Sequence, residues 1–109
     1  MALFEYRRWW AAQGLPQLRL LAVEHWDPLN VYDDPNRADA YDAFLERVGR
    51  MLKRGKGADE IAHYLGEVRT RAFRLDEFES LDQSFAERVV AWYSLEAPTG
   101  HSRRPGRAL

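Results

Sequence analysis

Carboxylates crowd one stretch of this chain. Asp27, Asp33, Asp34, Asp39 and Asp42 follow one another with Arg37 as the one cation among them. Acids at such density can hold calcium, cap a helix or face a basic partner. A calcium loop needs oxygen ligands at alternate positions and a glycine at its sharp turn. Pro35 and Arg37 fall where ligands belong and no glycine is present, so no metal is expected here. Asp34 or Asn36 instead suits the N-cap of a helix beginning at Arg37, with the other acids near its positive end. Asp33 and Asp34 are adjacent, so capping accounts for one of them at most. Tyr32 adds an amphipathic aromatic of the type enriched at interface hot spots. Asp27, Tyr32, Asp33, Asp34, Arg37 and Asp39 therefore form the candidate partner-binding site. The bland alternative folds Val31 and Tyr32 back onto the core and leaves the aspartates to solvate a turn.

Positive charge gathers further along, at Arg47, Arg50, Lys53, Arg54 and Lys56, with no acid between them. Such a run can contact phosphates. It equally fits the solvent face and C-terminal end of a helix, where cations are favoured without any ligand. Residues 59–74 offer a helix-turn-helix reading, with Gly66 in the turn and Arg69, Thr70, Arg71 and Arg74 on the reading helix. Against it, Ile61, Leu65, Val68 and Ala72 keep one apolar phase straight through Gly66, as an unbroken helix would. The imidazoles His25, His63 and His101 have no metal-type spacing, such as two on one helix turn. No glycine-rich phosphate loop and no serine in a nucleophile-elbow context occur. No catalytic residue, metal or cofactor is expected.

Composition sets the frame for these side chains. The chain has 109 residues, 46% of them hydrophobic, with four Trp, five Tyr and five Phe. That is apolar surface for one core of single-domain size. Sixteen Lys and Arg against 17 Asp and Glu leave a net charge of −1, so no global field marks a nucleic-acid or membrane binder. The absence of Cys excludes disulfides and thiolate chemistry. No apolar run approaches the roughly 20 residues that span a bilayer, and residues 1–8 lack the order of a signal peptide. A cytoplasmic protein is expected.

The elements follow from spacing. Ala40, Tyr41, Phe44, Leu45, Val48, Met51 and Leu52 recur at i, i+3 and i+4, which predicts a helix over 37–54. Gly55 suits its left-handed stop. A second helix over 58–73 begins after Gly57, and the short link makes the two an antiparallel hairpin. Upstream, Leu18, Leu21, Ala22, His25 and Trp26 predict a helix that Pro28 ends. A strand at 19–23 is the competing reading, without a second strand to pair with it. Leu3, Phe4, Trp9 and Trp10 predict a short first helix closed by Gly14. Ser80 with Gln83, or Ser84 with Glu87, offers a capping box for a last helix, buried through Leu81, Phe85, Val89, Trp92 and Tyr93. The expected fold is all-α: a compact bundle of four or five helices around the central hairpin. One domain covers residues 1–97, and 98–109 form a flexible basic tail.

Trp26-Asp27-Pro28, then Leu29, Asn30 and Val31, an acidic turn, Ala40-Tyr41-Asp42 opening a helix, and the later stretch from Gly57 to Leu65 stand in a recognisable order. Over roughly residues 18–72 this resembles a family of short bacterial proteins of unknown function that share a Trp-Asp-Pro helix end. The resemblance implies a compact all-helical fold and no established enzymatic activity. It does not account for the aromatic N-terminal segment or the helix after Ser80. The family pattern leads one to expect a glycine near Asn30, which takes its place in a left-handed conformation. Within Trp26-Asp27-Pro28 itself, Trp26 reads as a core residue, Asp27 as a cap for local amides and Pro28 as the stop. The expected function is a small non-catalytic protein-binding module, an immunity-type or regulatory inhibitor of a basic partner. The alternative is a nucleic-acid-binding protein using the basic segments 47–56 and 69–74, with the tail.

Overall fold

Residues 3–98 are described by the computed structural model, and 74% of them are helical, with no strand among them. The basic tail expected at 98–109 lies, apart from Pro98, outside the described residues. α1 (Leu3–Trp9) passes through a π-type turn (Trp10–Gly14) into α2 (Leu15–His25). After a loop come α3 (Asp42–Lys53), α4 (Ala58–Glu67) with a second π-type turn (Val68–Ala72), and α5 (Glu79–Glu96). The chain is thus an all-α bundle of four helical rods. The competing strand at 19–23 is part of α2.

Gly14 does not close the first helix; its backbone is helical and the chain runs on. Pro16 has no N–H to give the helix, and the widened turn just before it absorbs that loss. The turn also aims two successive indoles at different helices. Trp9 meets Trp92 and Tyr93 of α5, with ring centroids 6.2 and 6.3 Å apart. The six-membered ring of Trp10 packs against Gly49 of α3, and its Nε1 donates to Glu46 Oε1 at 2.9 Å. A Cβ on Gly49 would stand 2.5 Å from Trp10 Cη2, so only glycine admits the ring. Leu3 and Phe4, part of the pattern that predicts this helix, are exposed.

α3 begins at Asp42, five residues later than its periodicity suggests. Asp34 does cap, but what it caps is the 3-10 turn Pro35–Arg37, through the Asn36 N–H at 3.0 Å. Tyr41 then leaves helical geometry (φ −101°, ψ 0°) before α3 starts. At the other end Gly55 takes the expected left-handed conformation, with φ +81°. α4 continues unbroken past Gly66, which overturns the helix-turn-helix reading. Its widened last turn brings the neighbours Val68 and Arg69 both inward and leaves Ala72 exposed, although Ala72 keeps the apolar phase in sequence. Neither capping box forms at α5, whose N-cap is Phe78. The Gln83 amide instead donates to Asp59 and Glu87.

The core joins Leu18, Ala22 and Trp26 to Leu45, Val48 and Leu52, then to Ile61, Leu65 and Val68, and to Phe85, Ala86 and Val89. Phe44 is only partly buried, edge-on to Phe73 at 5.2 Å. α4 packs most closely against α5, and α3 against α2, so the pairing of α3 with α4 expected at the centre of the bundle is not the close one. α2 is clipped to α3 by Arg19, whose Nε and Nη2 donate to the two Asp42 oxygens at 3.0 and 2.8 Å.

Leu45→Ala and Leu65→Ala should each lower the unfolding free energy by about 2–5 kcal/mol, the cost of emptying a packed aliphatic site. Gly49→Ala should lower the melting temperature although it adds only a methyl group, because Trp10 must leave its seat. A thermal melt of the three variants tests both statements; an unchanged Gly49→Ala melt would mean that the Trp10 seat is not tight.

Candidate functional site

The candidate site hangs from the end of α2, and that end is held by a buried carboxylate. Trp26 stacks on Phe85 at 5.6 Å and 6°, and touches the rings of Tyr41 and Phe73. Its indole N–H donates to Asp82 Oδ1 at 2.8 Å. Arg69 reaches the same carboxylate through Nη2 at 2.9 Å and Nε at 3.2 Å. Arg69 and Asp82 are 5% and 3% exposed, so this ion pair belongs to the interior. The Phe78 ring lies 5.5 Å from the guanidinium carbon. Trp26 is therefore a core anchor, as the local reading of its tripeptide expects. Asp82 is not one of the candidate residues, and the sequence offers Arg69 only as a nucleic-acid contact. The signal lay in the phase: Asp82, Phe85, Ala86 and Val89 share one face of α5.

Beyond Trp26 the chain turns on Asp27, which has a positive φ of 39°. Its carboxylate accepts the Val31 N–H at 2.9 Å, the Tyr32 N–H at 3.2 Å and the Tyr41 hydroxyl at 2.7 Å. The Tyr41 oxygen in turn accepts the Leu29 N–H at 2.8 Å. Burial, then the hydrogen bond to Asp27, raises the Tyr41 pKa above the usual tyrosine range. Asn30 takes the left-handed conformation expected of it, with φ 56°. The loop is thus braced at both ends before any partner arrives.

What it displays divides the six candidate residues. Val31 is buried at 3% exposure while Tyr32 points out at 66%, so only half of the fold-back alternative holds. Asp33, Arg37 and Asp39 are exposed. The Asp33 carboxylate has no hydrogen bond or ion pair among the described residues. Asp39 lies within electrostatic reach of Arg19, and Arg37 of Tyr41. Both Asp27 oxygens and one Asp34 oxygen accept hydrogen bonds inside the turn. Tyr32, Asp33, Arg37 and Asp39 are the part of the candidate set that a second molecule can reach.

The basic segments fare unequally. Arg69 is enclosed with Asp82, so the stretch 69–74 keeps Arg71 and Arg74 at the surface and loses its first cation. Arg47, Arg50, Lys53, Arg54 and Lys56 are all exposed. His25 and His63 lie near Glu24 and Glu67 at 3.7 and 3.5 Å. No group of three potential metal ligands occurs among the described residues. No protein-family model, curated protein or solved structure matches this chain.

Asp82→Ala strands a buried guanidinium and an indole N–H, and should cost about 3–5 kcal/mol. Asp27→Ala orphans the loop amides and should cost about 1–3 kcal/mol, whereas Asp33→Ala should stay within about 0.5 kcal/mol of wild type. Urea denaturation orders the three; an Asp33→Ala loss equal to that of Asp27→Ala would assign Asp33 to structure. A pH series tests the tyrosines. Burial, then their mutual hydrogen bond at 2.6 Å, raises the Tyr6 pKa, and burial raises that of Tyr93. A raised folded pKa contributes stability below the unfolded value of about 10 and loses it as pH climbs through the folded one. Denaturation midpoints should therefore fall above about pH 10, and less steeply in Tyr6→Phe/Tyr93→Phe.

Proposed function

We propose that this protein is a non-catalytic binding module that takes a basic protein surface on the loop between α2 and α3, and that it serves as an inhibitor or regulator of that partner. The observation that carries this reading is the division of labour inside the loop. Asp27 and Tyr41 hold its backbone, and Val31 roots it in the core, while Tyr32 and Asp33 project outward with no internal task. A loop already ordered in the free protein loses less entropy on binding, so more of its contact energy appears as affinity. An exposed tyrosine contributes contact area at small rotamer cost, and neighbouring carboxylates steer a cationic surface toward it. The Trp-Asp-Pro resemblance supports the same frame of a small helical protein without established chemistry.

Affinity capture with wild type and Tyr32→Ala/Asp33→Asn, side by side, tests the reading. The double variant should stay within about 0.5 kcal/mol of wild-type stability, as ordinary surface changes do. A basic protein recovered by wild type should be lost or clearly depleted with the variant, and its association with wild type should slow as salt is added. Equal recovery of the same partner by both proteins would remove the loop from the interface.

A further inference from the structure

The loop leaves the positive charge of α3 without a role. Arg47, Arg50 and Arg54 follow at steps of three and four residues, which places them on one stripe, about 4.5–6 Å apart along the helix axis. Between this stripe and α4 runs a groove of about 520 Å³, lined by the three arginines, Lys56, Tyr64, Glu60 and Glu67 among others. The two acids have cationic neighbours of their own. Glu60 Oε2 lies 3.5 Å from Lys56 Nζ, and Glu67 Oε2 lies 3.5 Å from His63 Nε2.

The arginines are less provided for. The Arg50 and Arg54 side chains make no hydrogen bond or ion pair among the described residues, and Arg47 lies over the Tyr64 ring at 5.4 Å. Tyr64 is half-buried, and its hydroxyl has no hydrogen-bond partner among them either. Burial raises its pKa while Arg47 and Arg50 pull the other way, so both cations act on this one side chain. Like charges held beside a partly desolvated wall repel one another and focus a positive potential into the groove. A planar guanidinium presents paired donors that match phosphate oxygens.

The shape of the groove narrows the ligand. Single-stranded nucleic acid is normally gripped by rings on which bases stack. Two rings line this groove, Tyr64 and the imidazole of His63; Arg47 covers the first and Glu67 lies 3.5 Å from the second, so neither forms an open run of stacking platforms. We infer that the α3–α4 groove binds a short run of linked phosphates, as in inorganic triphosphate or the triphosphate of a nucleotide, through Arg47, Arg50 and Arg54 with the Tyr64 hydroxyl as a further donor. The inference is independent of the acidic loop.

Calorimetric titration of the full chain at low ionic strength, with inorganic triphosphate, ATP, orthophosphate and a short oligothymidylate as probes, tests it. Triphosphate and ATP should bind, and orthophosphate should bind about tenfold more weakly or worse, since it reaches fewer guanidinium groups. Equal affinities for triphosphate and ATP assign recognition to the phosphates alone, and a tighter ATP complex adds the nucleoside; either outcome supports the site. Arg50→Glu should weaken triphosphate binding at least about tenfold, and Tyr64→Phe should weaken it several-fold with the fold intact. Arg88→Glu, an equal change of charge on α5, should have little effect. Absence of triphosphate binding, an Arg88→Glu loss equal to that of Arg50→Glu, or tighter binding of oligothymidylate than of triphosphate would each overturn the inference.

Discussion

One buried carboxylate organises this molecule. Asp82 sits inside the bundle with Trp26 and Arg69 as its donors. A carboxylate removed from water is tolerable only when paired and hydrogen-bonded, and the same holds for the guanidinium facing it. Its two donors come from the end of α2 and from the widened turn after α4, and the carboxylate that accepts them comes from α5. Satisfying Asp82 therefore fixes where three segments meet. An apolar side chain there would bury as well, but it would not select one orientation of the Trp26 indole.

That orientation is transmitted outward. With Trp26 locked on Phe85 and Asp82, the following residue must turn, and Asp27 does so with its carboxylate beneath the loop. Tyr41 closes the circuit, since its ring packs on Trp26 and its hydroxyl reaches Asp27. The start of α3, the rooting of Val31 and the outward set of Tyr32 all descend from one interior hydrogen-bond arrangement. Indoles recur as ties elsewhere in the bundle. Trp10 donates to Glu46 and Trp92 to Gln17, so the N–H that an indole cannot leave dry becomes a specific link between helices.

The parts legible in the sequence are those set by local chemistry. The left-handed Asn30 and Gly55, the stop at Pro28, the capping Asp34 and the apolar stripes of α3 and α4 follow from backbone sterics and periodicity. What escaped was set by packing at a distance. Hydrogen bonds reaching one residue further than in an α-helix leave no residue-type signature, so neither widened turn is readable beforehand. Hence Gly14 reads as a terminator and Ala72 as core, and both readings fail. Charged side chains read as surface by default, which hid Arg69 and Asp82. Of the candidate site, Tyr32, Asp33, Arg37 and Asp39 face outward as expected. Asp27 does not, because two loop amides and the Tyr41 hydroxyl take its oxygens, and Asp34 gives one oxygen to a local amide.

Net charge conceals how the remaining charges are arranged. A balance of −1 arises from near-equal numbers of acids and bases, but the fold consumes these in specific pairs. Arg19 neutralises Asp42 between α2 and α3, and Arg69 neutralises Asp82 in the core. Subtracting such pairs leaves the surplus unevenly distributed, negative on the loop at Asp33 and positive on α3 at Arg50 and Arg54. A screened field decays within about 8 Å at physiological ionic strength, so an approaching molecule responds to the local surplus and not to the sum. Near-neutrality is then no argument for a bland surface. The paired charges fix how the segments of the scaffold meet, and by doing so they determine which charges are left for recognition.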